Sequence, residues 1–305
     1  MLSTFFRNSR PINFLLIGLL TLLAFVSFNF IKQSFEVNNL IGIPFIILLT
    51  FLINFILVKN QSKGRHTYVS FVFILLCISL PPTLISNPVL IAGFFVVLGL
   101  RRTIMLQTGK FLHRKIFDAF FFFSVATFFV PSSFIFMLVP LWAIFYFTPE
   151  NYKSWLIPFP AILSVFILAT VFHLLLYNHF FNPIHHYKIS LVSLDNIDSN
   201  LLYPLSLILL IVIFSLMKVL SIESKTTQRQ KRTSYLLIVS IIAAILSIGF
   251  SGNSGIDLES LFLLFLIPSA LIIGKFLELT SSKRLSEILL ILLILNAVIS
   301  PVILI

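Results

Sequence analysis

From Ile12 to Ile31 the chain carries no charged residue, and the same holds from Leu40 to Val58. Twenty residues in helical form span about 30 Å, the thickness of a bilayer's hydrocarbon core, so apolar runs of this length dictate membrane-spanning helices. Strands of a membrane barrel would instead alternate in segments of roughly ten residues. Apolar length and breakers divide the chain into eleven spans, at 12–31, 40–58, 67–85, 87–101, 116–130, 133–147, 155–177, 201–220, 234–250, 258–277 and 286–305. The first run is too long for the apolar core of a secretory signal and no small-x-small cleavage site follows it, so it reads as a retained first helix.

Composition agrees. With 59% hydrophobic and 10% charged residues, a chain of 305 has too little polar surface to cover a water-soluble particle. The expected fold class is all-α: a polytopic transmembrane helical bundle of about eleven membrane segments, one integral domain over 1–305, which the basic loop 221–233 divides eight plus three. The spans 87–101, 116–130 and 133–147 are short, and are expected to be half-spanning or re-entrant.

Charge orients this arrangement. Alternating the spans places every lysine and arginine except Lys32 and Lys188 on one side, which is the bias that holds an N-terminus inside. The net charge of +11 is therefore topological and gives no reason to expect nucleic acid. The expected location is the bacterial cytoplasmic (inner) membrane. A single cysteine, Cys77, excludes an intramolecular disulfide.

Three groups of residues invite a chemical reading. Four histidines lie close together, at His173, His179, His185 and His186, but gaps of six residues do not converge on a metal as i, i+4 spacing does. No metal site is expected. His173 and Tyr177, one turn apart, and His179 form a wet helix end that contacts a head group or simply the interface. The acids lie near helix ends or in loops, so a proton-coupled transporter lacks its usual buried relay. Asp257 reads as a helix cap with Glu259 in the first turn, and Asp118, just behind Arg114 and Lys115, reads as an acid at a helix start that pairs with cations.

The most distinctive polar segment is the inner loop from Arg101 to Lys115. Its cations Arg101, Arg102, Lys110, Arg114 and Lys115 alternate with Ile104, Met105, Leu106, Phe111 and Leu112, a pattern suited to phospholipid or to a polyprenyl phosphate. The plainer reading is positive-inside topology. Phenylalanine, 36 in number, suits a lipid-facing surface or an isoprenoid channel, and an AT-rich genome would raise its count as well.

The stretches Phe5-Phe-Arg-Asn-Ser-Arg-Pro-Ile-Asn13, Leu98-Gly-Leu-Arg-Arg102, Lys115-Ile-Phe-Asp-Ala119 and Trp155-Leu-Ile-Pro158 resemble an uncharacterised polytopic inner-membrane family of Bacteroidota. That family brings no activity. The carotene oxygenase label that some members carry would require an His-Gly-x-x-Asp-x-x-His type motif, which this chain lacks. A looser likeness links the short spans and the Arg-rich loop to polyprenyl-sugar-using membrane glycosyltransferases. That likeness implies a catalytic acid in the first outer loop, where Glu36 is the matching residue, while the Asp-rich loop and large soluble domain of those enzymes are missing. The expected function is handling of a lipid- or polyprenyl-linked glycan in the cell envelope, with a degenerate glycosyltransferase-like fold. Alternatives are a non-enzymatic membrane subunit or scaffold with a membrane protein partner, and a small-molecule transporter. Expected partners are membrane lipids and a polyprenyl phosphate, with no cofactor.

Overall fold

The computed structural model describes residues 5–6, 11–31, 42–61, 66–178, 180, 190–192, 199–223, 228–252, 256–280 and 282–304. Its helices are α1 (Pro11–Ile31), α2 (Gly42–Gln61), α3 (Tyr68–Ser79), α4 (Asn87–Ile104), α5 (Leu112–Phe129), α6 (Leu138–Phe147), the short α7 (Tyr152–Leu156) and α8 (Pro158–Tyr177). They continue with α9 (Ser199–Glu223), α10 (Gln228–Gly249), α11 (Leu258–Leu279) and α12 (Lys283–Leu304). Short 3₁₀ helices lie at Pro81–Leu84, Met105–Thr108 and Pro131–Met137. Among the described residues seven helical stretches are long and apolar enough to cross a membrane, the pattern of a multi-pass helical membrane protein.

Breakers shift two expectations. The span 87–101 is not short: α4 runs on through the 3₁₀ turn to Thr108, giving 22 helical residues. The short element is α3, whose 12 residues cover only about 18 Å. It stops because Pro81 and Pro82 have no N–H to continue the ladder, and the chain tightens into a 3₁₀ turn. Pro131 likewise opens a 3₁₀ turn that precedes the ten residues of α6, so the expected span 133–147 is built in two pieces.

The short helix is central. All of α3 except Ile78 is buried, and it packs on α11, whose entire apolar stretch is buried. Gly274 makes their approach this close: a Cβ there would lie 2.5 Å from Val69 Cγ2. Around this pair stand α4, α9, α10 and α12, each in contact with α11 or α3. The hairpin of α4 and α5 closes over a second glycine, where the Phe123 ring lies 2.8 Å from the Cβ position of Gly99. At the periphery, α8 and α1 have only 11% and 28% of their apolar stretches buried, an exposure that suits lipid and not water.

Side-to-side contacts agree with the charge-derived alternation. On the basic face, Thr67 N donates to the Phe6 carbonyl and Gln107 Nε2 to Thr233 Oγ1, while the Arg232 guanidinium faces the Tyr146 and Phe147 rings. On the opposite face, Ser247 Oγ donates to Ser132 Oγ and Gly252 N to the Ser190 carbonyl. Each of these pairs joins ends that the basic residues assign to one side.

Candidate functional site

The loop Arg101–Lys115 is a tight helical hairpin and not a surface-lying amphipathic element. After the 3₁₀ turn, Gly109 takes φ +69° and Phe111 φ +51°, two left-handed residues that reverse the chain into α5. Lys115 is buried and folds back over the turn, donating through Nζ to the Met105 carbonyl at 3.0 Å and to Thr108 Oγ1. Gln107 ties the turn to α10 through Thr233. Ion pairing across the hairpin comes from Arg102, whose Nε lies 3.2 Å from Asp118 Oδ2. Asp118 therefore sits in the second turn of α5 and pairs with α4, where the sequence pointed to capping and to its immediate neighbours.

These contacts sort the five cations of the loop. Arg101 lies 4.7 Å above the Phe55 ring, Arg102 serves Asp118, and Lys115 serves the turn. Lys110 and Arg114 stay exposed, together with His113, on either side of a phenylalanine that is 81% exposed, Phe111. The result is a fixed turn presenting two cations and an aromatic ring at the rim of the bundle, the combination that favours a bilayer's phosphate layer.

Gly109 is the simplest test of this turn. No atom lies within 4 Å of its Cβ position, so Gly109→Ala meets no steric neighbour and the whole cost is left-handed backbone, about 1 kcal/mol. We expect a small fall in the melting temperature of the detergent-solubilised protein, with Gly109→Asn falling less. An unchanged melting temperature for Gly109→Ala would contradict the left-handed turn.

A second set of polar side chains lies near the same ends of α10 and α11, buried beyond what the charge pattern indicates. Lys275, one of the inner-side cations by charge bias, is wholly buried on α11, with Nζ 2.6 Å from Ser234 Oγ of α10. One turn further on, Glu278 Oε2 lies 3.0 Å from His66 Nε2, both side chains being more than nine-tenths buried. The contact is at ion-pair distance without the alignment of a directed hydrogen bond, and His66 Nδ1 also has no hydrogen-bond partner. Glu278 does lie near a helix end, as expected of the acids, but it is buried there against His66. One signal was available: Lys275 falls inside the apolar run 258–277.

The remaining predicted residues are not drawn into this site. Glu36, His179, His185 and His186 lie outside the described residues, as does the side chain of Tyr177. His173 is half-buried on α8 near the opposite face. Asp257 stands at the N-cap position of α11, but its backbone carbonyl, not its carboxylate, accepts from Ser260. Among the described residues no three His, Cys, Asp or Glu side chains gather as metal ligands.

A third feature is a cleft of about 130 Å³ between α5 and α8, lined by Ser124, Phe128, Met137, Ile162, Phe166 and Ala169. Comparison with protein-family models, with curated proteins and with solved structures gave no match, so what the chain does has to be argued from its own residues.

Proposed function

We propose that this multi-pass membrane protein binds a phosphate-bearing lipid at its basic face and handles a lipid- or polyprenyl-linked glycan of the cell envelope there. The observation that carries the reading is the hairpin tip. Arg102 is paired with Asp118 and Lys115 with the turn's own groups, so Lys110 and Arg114 remain available beside Phe111. Arg114 offers a planar fork for phosphate oxygens and Lys110 a point charge, while Phe111 enters the acyl boundary. The orientation with this face inside, the inner membrane as location, and a glycosyltransferase-like ancestry with Glu36 as its acid are parts of the same proposal.

The test uses the full chain in phosphatidylcholine nanodiscs and a long-chain polyprenyl phosphate as probe, read by native mass spectrometry. Lys110→Glu/Arg114→Glu is expected to weaken binding by about ten-fold or more. Lys283→Glu/Arg284→Glu, which reverses another exposed basic pair at the same face, should leave it unchanged. Equal loss in both variants would mean diffuse attraction to a basic surface, and the proposal would fail.

One observation favours a second reading, transport coupled to protons. The group Lys275, Ser234, His66 and Glu278 supplies buried ionisable side chains of the kind such carriers need. Under that reading Glu278→Gln abolishes proton uptake into vesicles containing the purified protein, whereas lipid handling predicts no uptake in the wild type.

A further inference from the structure

We infer that the flank formed by α6, α7 and the start of α10 is an anchor that seats in the phosphate and glycerol layer of the leaflet on the basic face. It involves none of the residues of the hairpin tip. The chain has two tryptophans, and both stand on this flank, Trp142 on α6 and Trp155 on α7. Tyr146 of α6, Tyr152 of α7 and Tyr235 of α10 join them, and all five side chains are exposed. The described parts of α1, α2 and α12 carry neither tryptophan nor tyrosine, and the exposed Tyr203 stands near the start of α9, at the opposite face. These rings therefore gather along one flank of one face.

Their depth is set by the helices that carry them. Trp142 lies five residues before Phe147, the end of α6, and Trp155 three residues after Tyr152, the start of α7. At 1.5 Å per residue each is within about 8 Å of the connecting loop 148–151. Exposed Glu150 in that loop and exposed Lys153 just after it mark the level of water. Further along α8 the exposed side chains are Leu163, Ile167, Leu168 and Val171, which have no polar atom. The rings with an N–H or O–H thus stand where the flank passes from charged to wholly apolar. Tryptophan and tyrosine favour that level of a bilayer, because the ring is apolar and its tip meets water and ester oxygens.

Charge favours lipid over a partner helix as the occupant. The half-buried Arg232 guanidinium stands 5.8 Å from the Tyr146 ring and 5.6 Å from the Phe147 ring, and Tyr146 in turn meets Tyr235 at 6.4 Å. Arg232 is in no ion pair among the described residues. Aromatic faces thus orient a cation that has no carboxylate of its own, with Lys153 as a second cation on the same flank. Bilayer phosphates offer acceptors to both in a continuous layer at this level, and a guanidinium fork suits them. A partner helix would have to supply an acid at that one place against an otherwise aromatic surface.

The experiment reads the two tryptophans one at a time. Trp142→Phe and Trp155→Phe each leave a single tryptophan in the full chain, reconstituted in phosphatidylcholine vesicles. Fluorescence quenching is compared for lipid brominated near the glycerol, lipid brominated near the chain ends, and acrylamide in the water. Each remaining tryptophan is expected to be quenched about two-fold more by the shallow bromine than by the deep one, and only weakly by acrylamide. Stronger quenching by the deep bromine would place the flank in hydrocarbon. Strong acrylamide quenching with none from lipid would make it a docking surface for a soluble protein, and no quenching by any of the three would mean that a second copy of the chain covers it. Each of these outcomes overturns the inference. Trp142→Tyr and Trp155→Tyr give the same reading should a phenylalanine variant fail to fold. Bulk phosphatidylcholine is the probe, so the outcome does not depend on whether Lys110 and Arg114 bind a polyprenyl phosphate.

Discussion

Gly274→Leu is expected to prevent stable assembly of the bundle. Even the first atom of the new side chain would lie 2.5 Å from Val69 Cγ2 and 3.2 Å from Val69 Cα, so α3 and α11 would have to separate along their whole contact. Both helices are buried on every side and neighbouring helices block that movement. Overpacking a well-filled core costs about 1–3 kcal/mol, and more where backbone must move. The measurement is monodispersity and melting temperature in detergent. Gly274→Ala should fall between wild type and Gly274→Leu. Gly249→Ala, with nothing within 4 Å of its Cβ position, should match the wild type. If Gly274→Leu melts like the wild type, α3 and α11 do not pack as described.

Lys275→Glu is the second large effect. It replaces a donor 2.6 Å from Ser234 Oγ by a carboxylate, in a position with no exposed surface and one turn from Glu278. Leaving a buried charge uncompensated costs about 3–5 kcal/mol, so the variant should be recovered mostly as aggregate. Lys275→Met is the informative partner variant: it keeps the length of the side chain and removes the amine, and should cost much less, because apolar replacement of buried polar pairs is commonly tolerated. Combining it with Ser234→Ala should show coupling of about 0.5–3 kcal/mol, since the two side chains share one contact. Should Lys275→Glu prove as stable as Lys275→Met, the side chain reaches water and the inner end of α11 is open.

How far the sequence reaches is clearest in the helix limits. The run 12–31 is α1, Pro11–Ile31; the run 258–277 is α11, Leu258–Leu279; the run 286–305 is α12, Lys283–Leu304. Span length follows from bilayer thickness and from each backbone group needing a partner within its own segment, so a local stretch carries the information by itself. The basic bias likewise grouped the ends that meet in space, as with Gln107 and Thr233. The hairpin at 101–115 was legible as a special segment by composition alone. That three of its five cations serve its own fold was not, because their partners Asp118, Phe55 and the Met105 carbonyl are set by how α2, α4 and α5 pack.

The limit of sequence reading shows in three helices of nearly equal mean hydropathy. The apolar stretches of α1, α8 and α11 have values of 2.2, 2.3 and 2.2, yet 28%, 11% and all of them, respectively, is buried. In water such a difference in burial would leave a mark on composition. In lipid the surroundings are as apolar as the neighbouring helix, so hydropathy cannot rank helices from centre to rim, and close fit decides, as at Gly274 against Val69. The same cause hid Lys275, which resembles one more inner-side cation until α10 brings Ser234 to it, and Ser124, which is an ordinary helical serine until α8 closes a cleft beside it. Sequence by itself determined an all-helical, multi-pass chain with one basic face, because those properties belong to single segments. Only the tertiary structure decided which helix is central, which cations stay exposed and where a cleft opens between helices, because those properties belong to pairs of segments far apart in the chain.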